Sequence, residues 1–308
     1  MRNLNNKIVT MKLKSTLIVL AIIPFLGFNA QKPITISDDT LQIGKSMLPG
    51  MSVTIPEVDY DKALKAWIRD LQTGTKSKLV TENGEMSIFG AKIKAISPNQ
   101  INVYSKLIRL DSMLQLFASF ETKKDQYIER SSGEPEYAKA QDFLKEFAKN
   151  QYIEVAKGQA DAEEKKLRDL QKELSSLENE KSKMQKGMQS DNSNIVSEKE
   201  NIALMNNELN TVNAAIIEQN SLLASMEEGP AKKEAAVQIK DLEKRKKKAL
   251  NSIKSSENKI NKADSQINNA TGDIPRNERM QETVREQIFQ QEAVYQRFAD
   301  KLKKIKSY

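Results

Sequence analysis

A seven-residue repeat of apolar side chains runs without interruption from Leu167 to Met226. Steps of three and four residues meet an apolar side chain at fourteen of eighteen positions. An isolated helix has 3.6 residues per turn, so this stripe stays on one side only when the helix coils against a partner. The pattern therefore predicts a long coiled-coil helix. The eighteen seam positions are Leu167, Leu170, Leu174, Leu177, Lys181, Met184, Met188, Asp191, Ile195, Glu198, Ile202, Met205, Leu209, Val212, Ile216, Gln219, Leu223 and Met226.

A second repeat with the same spacing follows Gly229-Pro230, a pair typical of a turn. Ten of its twelve positions are apolar, with Ile in most of one row and Ala in most of the other. Helices joined by a short turn pack antiparallel, so we predict a hairpin with its tip at 227–230. With the tip between Glu228 and Gly229, residue i faces residue 457 − i. The positions are Ala235, Ile239, Leu242, Lys246, Ala249, Ile253, Ser256, Ile260, Ala263, Ile267, Ala270 and Ile274, and the spacing recurs from Val284 to Ile305.

The charges of the two arms support their pairing. Residues 161–228 carry fourteen acidic and eight basic side chains, whereas residues 231–271 carry five acidic and eleven basic ones. The arms therefore have opposite net charges of −6 and +6 and attract each other. Each exposed ion pair contributes less than ~1 kcal/mol, so charge favours this pairing without determining it.

One level of the predicted rod combines helix-breaking residues from both arms. The segment 272–275 contains Gly and Pro, and it faces residues 182–185, next to the turn-forming run 190–194. We predict a break at 272–275 and a kink or hinge at this height, where polar seam residues set the register. In the rival arrangement the first helix breaks at 190–194 and the chain forms a shorter four-helix bundle. The residues assigned to the hinge or the register are Lys181, Gly187, Asp191, Gly272 and Pro275.

The aromatic residues divide the chain into two parts. Eleven lie between Tyr60 and Tyr152, and none follows until Phe289. Aromatic side chains fill globular cores, so we predict a flexible segment at 31–44, a small head at 45–130 and a helical hairpin at 135–306. Alternating apolar positions predict an α+β head, with a mostly antiparallel sheet and one helix that buries Trp67. The predicted strands are 52–58, 76–81, 88–96, 101–110 and 114–120, and the helix runs from its cap at Asp59 to Gly74.

Residues 1–30 have the pattern of a secretory signal peptide. Four basic side chains precede the apolar run Leu17–Phe28, and Ala30 offers a small residue for cleavage. The run is shorter than the ~20 residues of a transmembrane helix, so we expect export to the periplasm or beyond. The alternative is an uncleaved membrane anchor. Translation starts at Met1 or at Met11, since both starts leave a basic leader.

The composition excludes several kinds of chemistry. The chain has no Cys and no His, which rules out disulfides, Cys or His zinc sites and His-containing catalytic triads. Without residues 1–30 the net charge falls from +7 to +3, too little for the dense basic face of a nucleic-acid-binding protein. Gly84 and Gly90 lack the spacing of a phosphate-binding loop. We therefore expect no enzyme activity and no cofactor, metal or nucleic-acid site.

The densest charge run is a candidate contact for a partner. It consists of Lys244, Arg245, Lys246, Lys247 and Lys248. As a functional contact it would bind anionic lipid or an acidic protein. As a solvated helix face it would instead pair with the acidic first arm. The basic C-terminal turn is a second candidate for membrane-surface contact, although basic residues there also stabilise the helix dipole.

The segment Pro49–Pro56 (PGMSVTIP), the Trp67-bearing helix, the strand series and the long charged coil resemble those of uncharacterised exported coiled-coil proteins of Gram-negative bacteria. This resemblance covers most of the mature chain and implies no known activity. The architecture alone is similar to that of the Skp/OmpH periplasmic chaperones. We expect a non-enzymatic cell-envelope scaffold that binds an envelope protein or a second copy of itself. The alternative is a periplasmic holdase for unfolded outer-membrane proteins.

Overall fold

The computed structural model describes residues 32–308, in which an α+β head continues into a long antiparallel helical hairpin. This confirms the predicted fold class. The predictions about the signal peptide, its cleavage and the start codon concern residues outside the described part. The elements are β1 (Ile36–Ile43), β2 (Ser46–Pro56), α1 (Tyr60–Gln72), β3 (Val80–Glu82), β4 (Glu85–Ala91), β5 (Ile101–Arg109), β6 (Met113–Lys123), β7 (Gln126–Tyr127), a 3-10 turn (Arg130–Ser132), α2 (Glu134–Ser225) and α3 (Pro230–Lys306).

The strands of the head form one antiparallel sheet. Their order is β1-β2-β6-β5-β4-β3, with β7 paired to β6. Alternate residues of β5 point to opposite faces, so Val103 is buried in the core while Tyr104 lies half-buried on the other face. The predicted strand 88–96 ends early at Ala91, and the predicted strand 76–81 is reduced to β3. β4 has no partner beyond Ala91, because β5 begins at its partner Ile101, and β3 pairs only with residues 85–87 of β4.

The prediction of a flexible segment at 31–44 is wrong, because residues 36–43 form β1. This strand pairs with β2 along its whole length, beginning with Ile36 opposite Val53. The connection is the two-residue turn Gly44-Lys45, and Gly44 has a φ of 61°, as short hairpin turns require. The sequence of β1 contains too many polar residues to show the alternation of apolar and polar positions that predicts a strand. They are tolerated because β1 is an edge strand that pairs on one side only.

Trp67 lies at the centre of the head core, as predicted. Its side chain is fully buried, and its ring centroid lies 5.8 Å from that of Phe143 and 5.0 Å from that of Phe147 on α2. The indole Nε1 donates a hydrogen bond of 2.9 Å to Ser105 Oγ, which satisfies both buried polar groups. The first turns of α2 therefore complete the core of the head.

The two hairpin helices are continuous. At 1.5 Å per residue, α2 is ~140 Å long, and residues 226–229 connect it to α3. The rival four-helix bundle is wrong, because α2 passes through residues 190–194 as unbroken helix. Only one residue of that polar run, Asp191, lies on the seam, so the run stays on the solvent side of the helix.

The predicted break at 272–275 is also wrong, since Pro275 lies inside α3. A proline in a helix interior removes a hydrogen bond and costs ~3 kcal/mol. The seam nevertheless keeps its phase here, because Ala270, Ile274, Asn277 and Gln281 are all buried or half-buried. Packing of these side chains against α2 offsets the local cost of the proline. The presence of Gly and Pro in the sequence does not by itself reveal this packing.

Candidate functional site

The interface between α2 and α3 is the most extensive candidate site in the protein. All eighteen predicted seam positions of α2 and all twelve of α3 are buried or half-buried. Burial is tightest where a small residue allows close approach, as at Ala249, which is 2% exposed, and at Val212, which is 1% exposed. The apolar stripe that predicted a coiled coil is therefore satisfied within the chain, by its own returning arm.

The register of the hairpin agrees with the predicted relation between facing residues. Asn201 contacts Ser256, and Glu198 contacts Lys259, which are the partners that a tip between Glu228 and Gly229 gives. The terminal residue fits the same relation, because Lys149 Nζ donates to the backbone oxygen of Tyr308 at 2.9 Å. The two arms thus keep one register from the base of the hairpin to beyond its middle.

A polar layer fixes this register in the outer half of the hairpin. Asn201 Nδ2 donates to Ser256 Oγ at 2.8 Å and to Ser252 Oγ at 3.3 Å, and Ser256 is 1% exposed. Hydrogen bonds from Lys259 and Ser256 lower the pKa of the adjacent Glu198 carboxyl. A shift by one heptad would take the buried Ser256 and the half-buried Asn201 away from each other, so the layer selects the register, as polar seam residues do in other coiled coils.

A second polar layer lies nearer the base, and its main members were not predicted from the sequence. Asn277 and Gln281 occupy seam positions, are 5% and 4% exposed, and are joined by a hydrogen bond of 2.7 Å. Arg285 Nη2 then bridges Gln281 Oε1 at 3.1 Å and Glu178 Oε1 at 2.9 Å across the arms. Continuing the heptad count through Pro275 would have identified both residues.

The predicted hinge residues lie at nearly the same height but form no single cluster. Lys181 Nζ contacts Glu278 Oε1 at 2.7 Å, and Asp191 is half-buried on the seam. A Cβ added at Gly187 or Gly272 would meet nothing within 4 Å, so packing does not require glycine at either position. Nearby, a shallow open groove is lined by Gln185, Met188, Gln189, Asn192, Ser193, Val196 and Ile274. The hinge itself stays a prediction.

The five members of the basic run Lys244–Lys248 lie on different faces of α3. Arg245 reaches across the hairpin, and its Nε and Nη2 lie 3.0 and 2.6 Å from Glu208 Oε1. Lys244 pairs with Asp241 of its own helix at 2.9 Å, while Lys246 is half-buried on the seam. Lys247 and Lys248 are also exposed, and within residues 32–308 neither lies within ion-pair distance of a carboxylate. Part of the run therefore pairs with the acidic arm, and part remains available to a partner.

The hairpin tip is a short extended connection. Met226 ends α2 in an extended conformation, and Pro230 is the first residue of α3, where its missing N–H costs nothing. Lys232 Nζ closes the turn with a contact of 2.7 Å to Glu228 Oε1. Gly229 has a φ of 179° and open space around it, so the tip does not depend on its glycine.

The head and both helices meet at a charged cluster around Glu57. Lys301 Nζ lies 2.5 Å from Glu57 Oε2 and 3.1 Å from Gln159 Oε1, and Tyr152 OH donates to Glu57 Oε1 at 3.3 Å. Burial raises the pKa of Glu57, but the hydrogen bond and charge of Lys301 outweigh it and lower the pKa below 4.5. Glu57 also has a φ of 60°, unusual for a residue other than glycine. We call this group the junction cluster.

Apolar contacts surround the junction cluster. Tyr152, Ala156 and Ile305 are fully buried together, with Ile34 and Leu302 packed against them. The Lys301 ammonium lies 5.6 Å from the centre of the Tyr152 ring, which adds a cation–π contact. The junction therefore connects the loop after β2, the base of α2 and the end of α3. No sequence pattern related these residues, because Glu57 and Lys301 lie 244 positions apart.

No protein-family model matches the chain, and no curated protein matches it. Among solved structures, the chain is similar to the Smc head domain with a coiled coil and joint derived from Pyrococcus yayanosii, at 11% identity. That match covers 89% of this chain and 69% of the other, with a TM-score of 0.22. None of the helices within residues 32–308 contains an apolar stretch of the length that a membrane span needs.

Proposed function

We propose that this protein is a non-enzymatic, exported scaffold of the cell envelope, whose rigid hairpin presents its outer part to a protein partner. The observation that carries the proposal is the architecture: both apolar seams are used within the chain, so the hairpin is a closed arm with a fixed register. An arm fixed to its head by a mostly buried ion pair suits positioning better than catalysis. The export part of the proposal rests on the leader pattern of residues 1–30.

The distribution of exposed apolar side chains supports a contact near the tip. In the described part of α2 and α3, six of the seven exposed large apolar side chains lie between residues 196 and 250. Exposed apolar groups concentrated in one region are typical of an interaction surface. The six are Val196, Leu204, Ile217, Leu222, Val237 and Leu250.

The test is residue-level crosslinking of the full-length mature protein in an envelope extract. A scaffold should give one or a few partners in stoichiometric amounts, with crosslinks concentrated between residues 190 and 260. Crosslinks spread evenly over the chain to many abundant proteins would contradict it. A variant with the same lysine count but Ile217→Ser provides the control, because it should lose the partner without losing reactive amines.

The exposed apolar side chains also favour a second candidate, a holdase for unfolded outer-membrane proteins. A holdase should suppress aggregation of a denatured outer-membrane protein at near-equimolar ratio. Within one chain the arms are packed against each other and enclose no space for a client, so this function would need an assembly of several copies. Suppression by a species that stays monomeric in sedimentation would contradict that requirement.

A further inference from the structure

The outer part of α3 carries a row of lysines at a strict seven-residue interval. We letter the heptads with a and d on the seam, so that Ile239 is a and Leu242 is d. Position b is then lysine in four successive heptads, Lys233, Lys240, Lys247 and Lys254, which we call the lysine row. At 1.5 Å per residue its members are spaced ~10.5 Å apart over ~31 Å. All four are exposed, and none lies within ion-pair distance of a carboxylate in the described part of the chain.

The lysine row lies on one flank of the hairpin. In the antiparallel arrangement the e positions of both helices share a flank, as the contact between Glu178 and Arg285 shows. Position b adjoins e, so the lysine row belongs to that flank. The facing e positions of α2 form a row of the same period, Asn206, Asn213 and Asn220. Lysines and asparagines thus follow the same groove from its two sides.

The flank has an excess of positive charge that the opposite flank lacks. From residue 194 to the tip and back to residue 260, positions b and e carry five lysines, the lysine row and Lys199, against Glu243 and Glu257. Their net charge is +3. Positions c and g of the same stretch carry four acidic and three basic side chains, a net charge of −1. The exposed apolar residues Val196, Ile217 and Leu250 lie on the basic flank.

The heptad period distinguishes a helical occupant from a flat one. The two helices of a coiled coil wind around each other once in ~150 Å, so position b rotates by ~75° about the hairpin axis over the ~31 Å of the lysine row. A flat surface could therefore not contact all four lysines. A third helix that supercoils with the hairpin keeps the same heptad positions beside it throughout. A row of fixed period and constant charge is therefore matched by a helix with one carboxylate per heptad.

We propose that this flank binds an acidic amphipathic helix of a partner protein, which winds along the outer part of the hairpin with its carboxylates facing the lysine row. The occupant is another protein, because no helix face in the described part of this chain carries acidic residues at four successive heptads. The inference rests on the proposed scaffold function and specifies the chemistry of its partner.

The test uses the full mature chain and a fluorescent helical peptide of four heptads with one glutamate per heptad. A peptide of the same composition with irregularly spaced glutamates is the comparison. We expect the regular peptide to bind more tightly, and the triple variant Lys240→Gln, Lys247→Gln, Lys254→Gln to weaken it about tenfold, from three ion pairs of typical strength. Raising the salt concentration should remove this difference.

The matched control removes the same charge from the same helix outside that flank. The variant Lys244→Gln, Lys248→Gln, Lys262→Gln should bind the regular peptide within about twofold of the wild type, since these residues lie at f and c. Circular dichroism checks that both variants stay folded.

Three results would overturn the inference: equal affinity for the two peptides, equal loss in both variants, or no peptide binding together with binding to vesicles rich in anionic lipid that the lysine-row variant abolishes. The last result would assign the flank to a membrane. Crosslinks of an envelope partner elsewhere on the hairpin would keep the scaffold function and still refute the acidic helix, so the two proposals can fail separately.

Discussion

Removing the charge of Lys301 should destabilise the head and the hairpin together. Its ammonium lies 2.5 Å from Glu57, and the side chains are 14% and 22% exposed. Lys301→Met keeps the aliphatic stem but leaves the Glu57 carboxylate mostly buried, with only the neutral donors Tyr152 and Gln159. Loss of one partner from a mostly buried, hydrogen-bonded ion pair costs about 3 kcal/mol of unfolding free energy.

Urea unfolding with two probes measures this effect. Fluorescence of Trp67, which is the one tryptophan in the sequence, reports on the head, and far-ultraviolet circular dichroism reports mainly on the hairpin. Both transitions should move to lower urea, because the junction cluster belongs to both parts. The matched control is Lys259→Met, which removes an ion pair of 2.7 Å whose lysine is 62% exposed, and it should lower the urea midpoint much less than Lys301→Met. Equal costs for the two substitutions would refute the reasoning from burial.

The same cluster predicts a pH dependence. Burial raises the pKa of Glu57, yet the hydrogen bond and charge of Lys301 lower it overall, below the ordinary value of 4.5. The folded state therefore binds this proton less readily than the unfolded state, and the stabilisation is present above the unfolded pKa and lost as the pH falls through the folded one. Glu57→Gln should destabilise the protein at pH 7, and its cost should shrink as the pH falls below about 4.5. A cost that does not change between neutral and acid pH would contradict this assignment.

Three further predictions follow from single residues. Gly187→Ala and Gly272→Ala should each stabilise the hairpin by ~0.5–1 kcal/mol in thermal unfolding, because the added methyl group meets open space in a helix interior. Loss of partner binding in these more stable variants would support the predicted hinge, and unchanged binding would refute it. Gly50→Ala should cost more than ~2 kcal/mol in fluorescence-monitored unfolding, since its Cβ would lie 2.4 Å from the Ala118 carbonyl oxygen, and wild-type stability would refute the close contact of β2 and β6. Burial and a neighbouring carboxylate raise the pKa of Tyr104 to about 12, so ultraviolet titration should show a phenol that ionises there and is missing in Tyr104→Phe.

The hairpin was predictable in detail because its determinants are periodic. Every seam position that a count of sevens predicts is buried or half-buried, and the turn signal at Gly229-Pro230 was enough to set the register. The prediction was incomplete where local Gly and Pro signals replaced the count of sevens. Gly272 and Pro275 suggested a break, so the count stopped before Asn277 and Gln281, although the seam continues through both. Tertiary packing along a long interface outweighs one proline.

The junction cluster was beyond sequence reasoning for a different reason. Glu57 looks like an ordinary loop residue, and Lys301 looks like one of several bases near a helix C-terminus. Their pairing depends on where α3 ends relative to the head, which follows from the lengths of both helices and the exact register between them. An error of one heptad in either arm would separate the two charges by about 10 Å. The edge strand β1 was hidden in a similar way, since its pairing with β2 is set by the turn at Gly44.

The two ends of the hairpin differ in how their charged and apolar side chains are paired. At the base, Glu57 and Lys301 satisfy each other inside an apolar surround, so this ion pair holds the head and the hairpin together. Towards the tip, the seam positions are also buried or half-buried, but the lysine row forms no ion pair within residues 32–308, and apolar side chains such as Ile217 are 72% exposed. A fold that needed only stability would not concentrate both features in one region. The register fixed by Asn201 and Ser256 holds that region in a defined orientation to the head. A partner bound near the tip would therefore be held at a set distance and angle, which is the physical content of a scaffold.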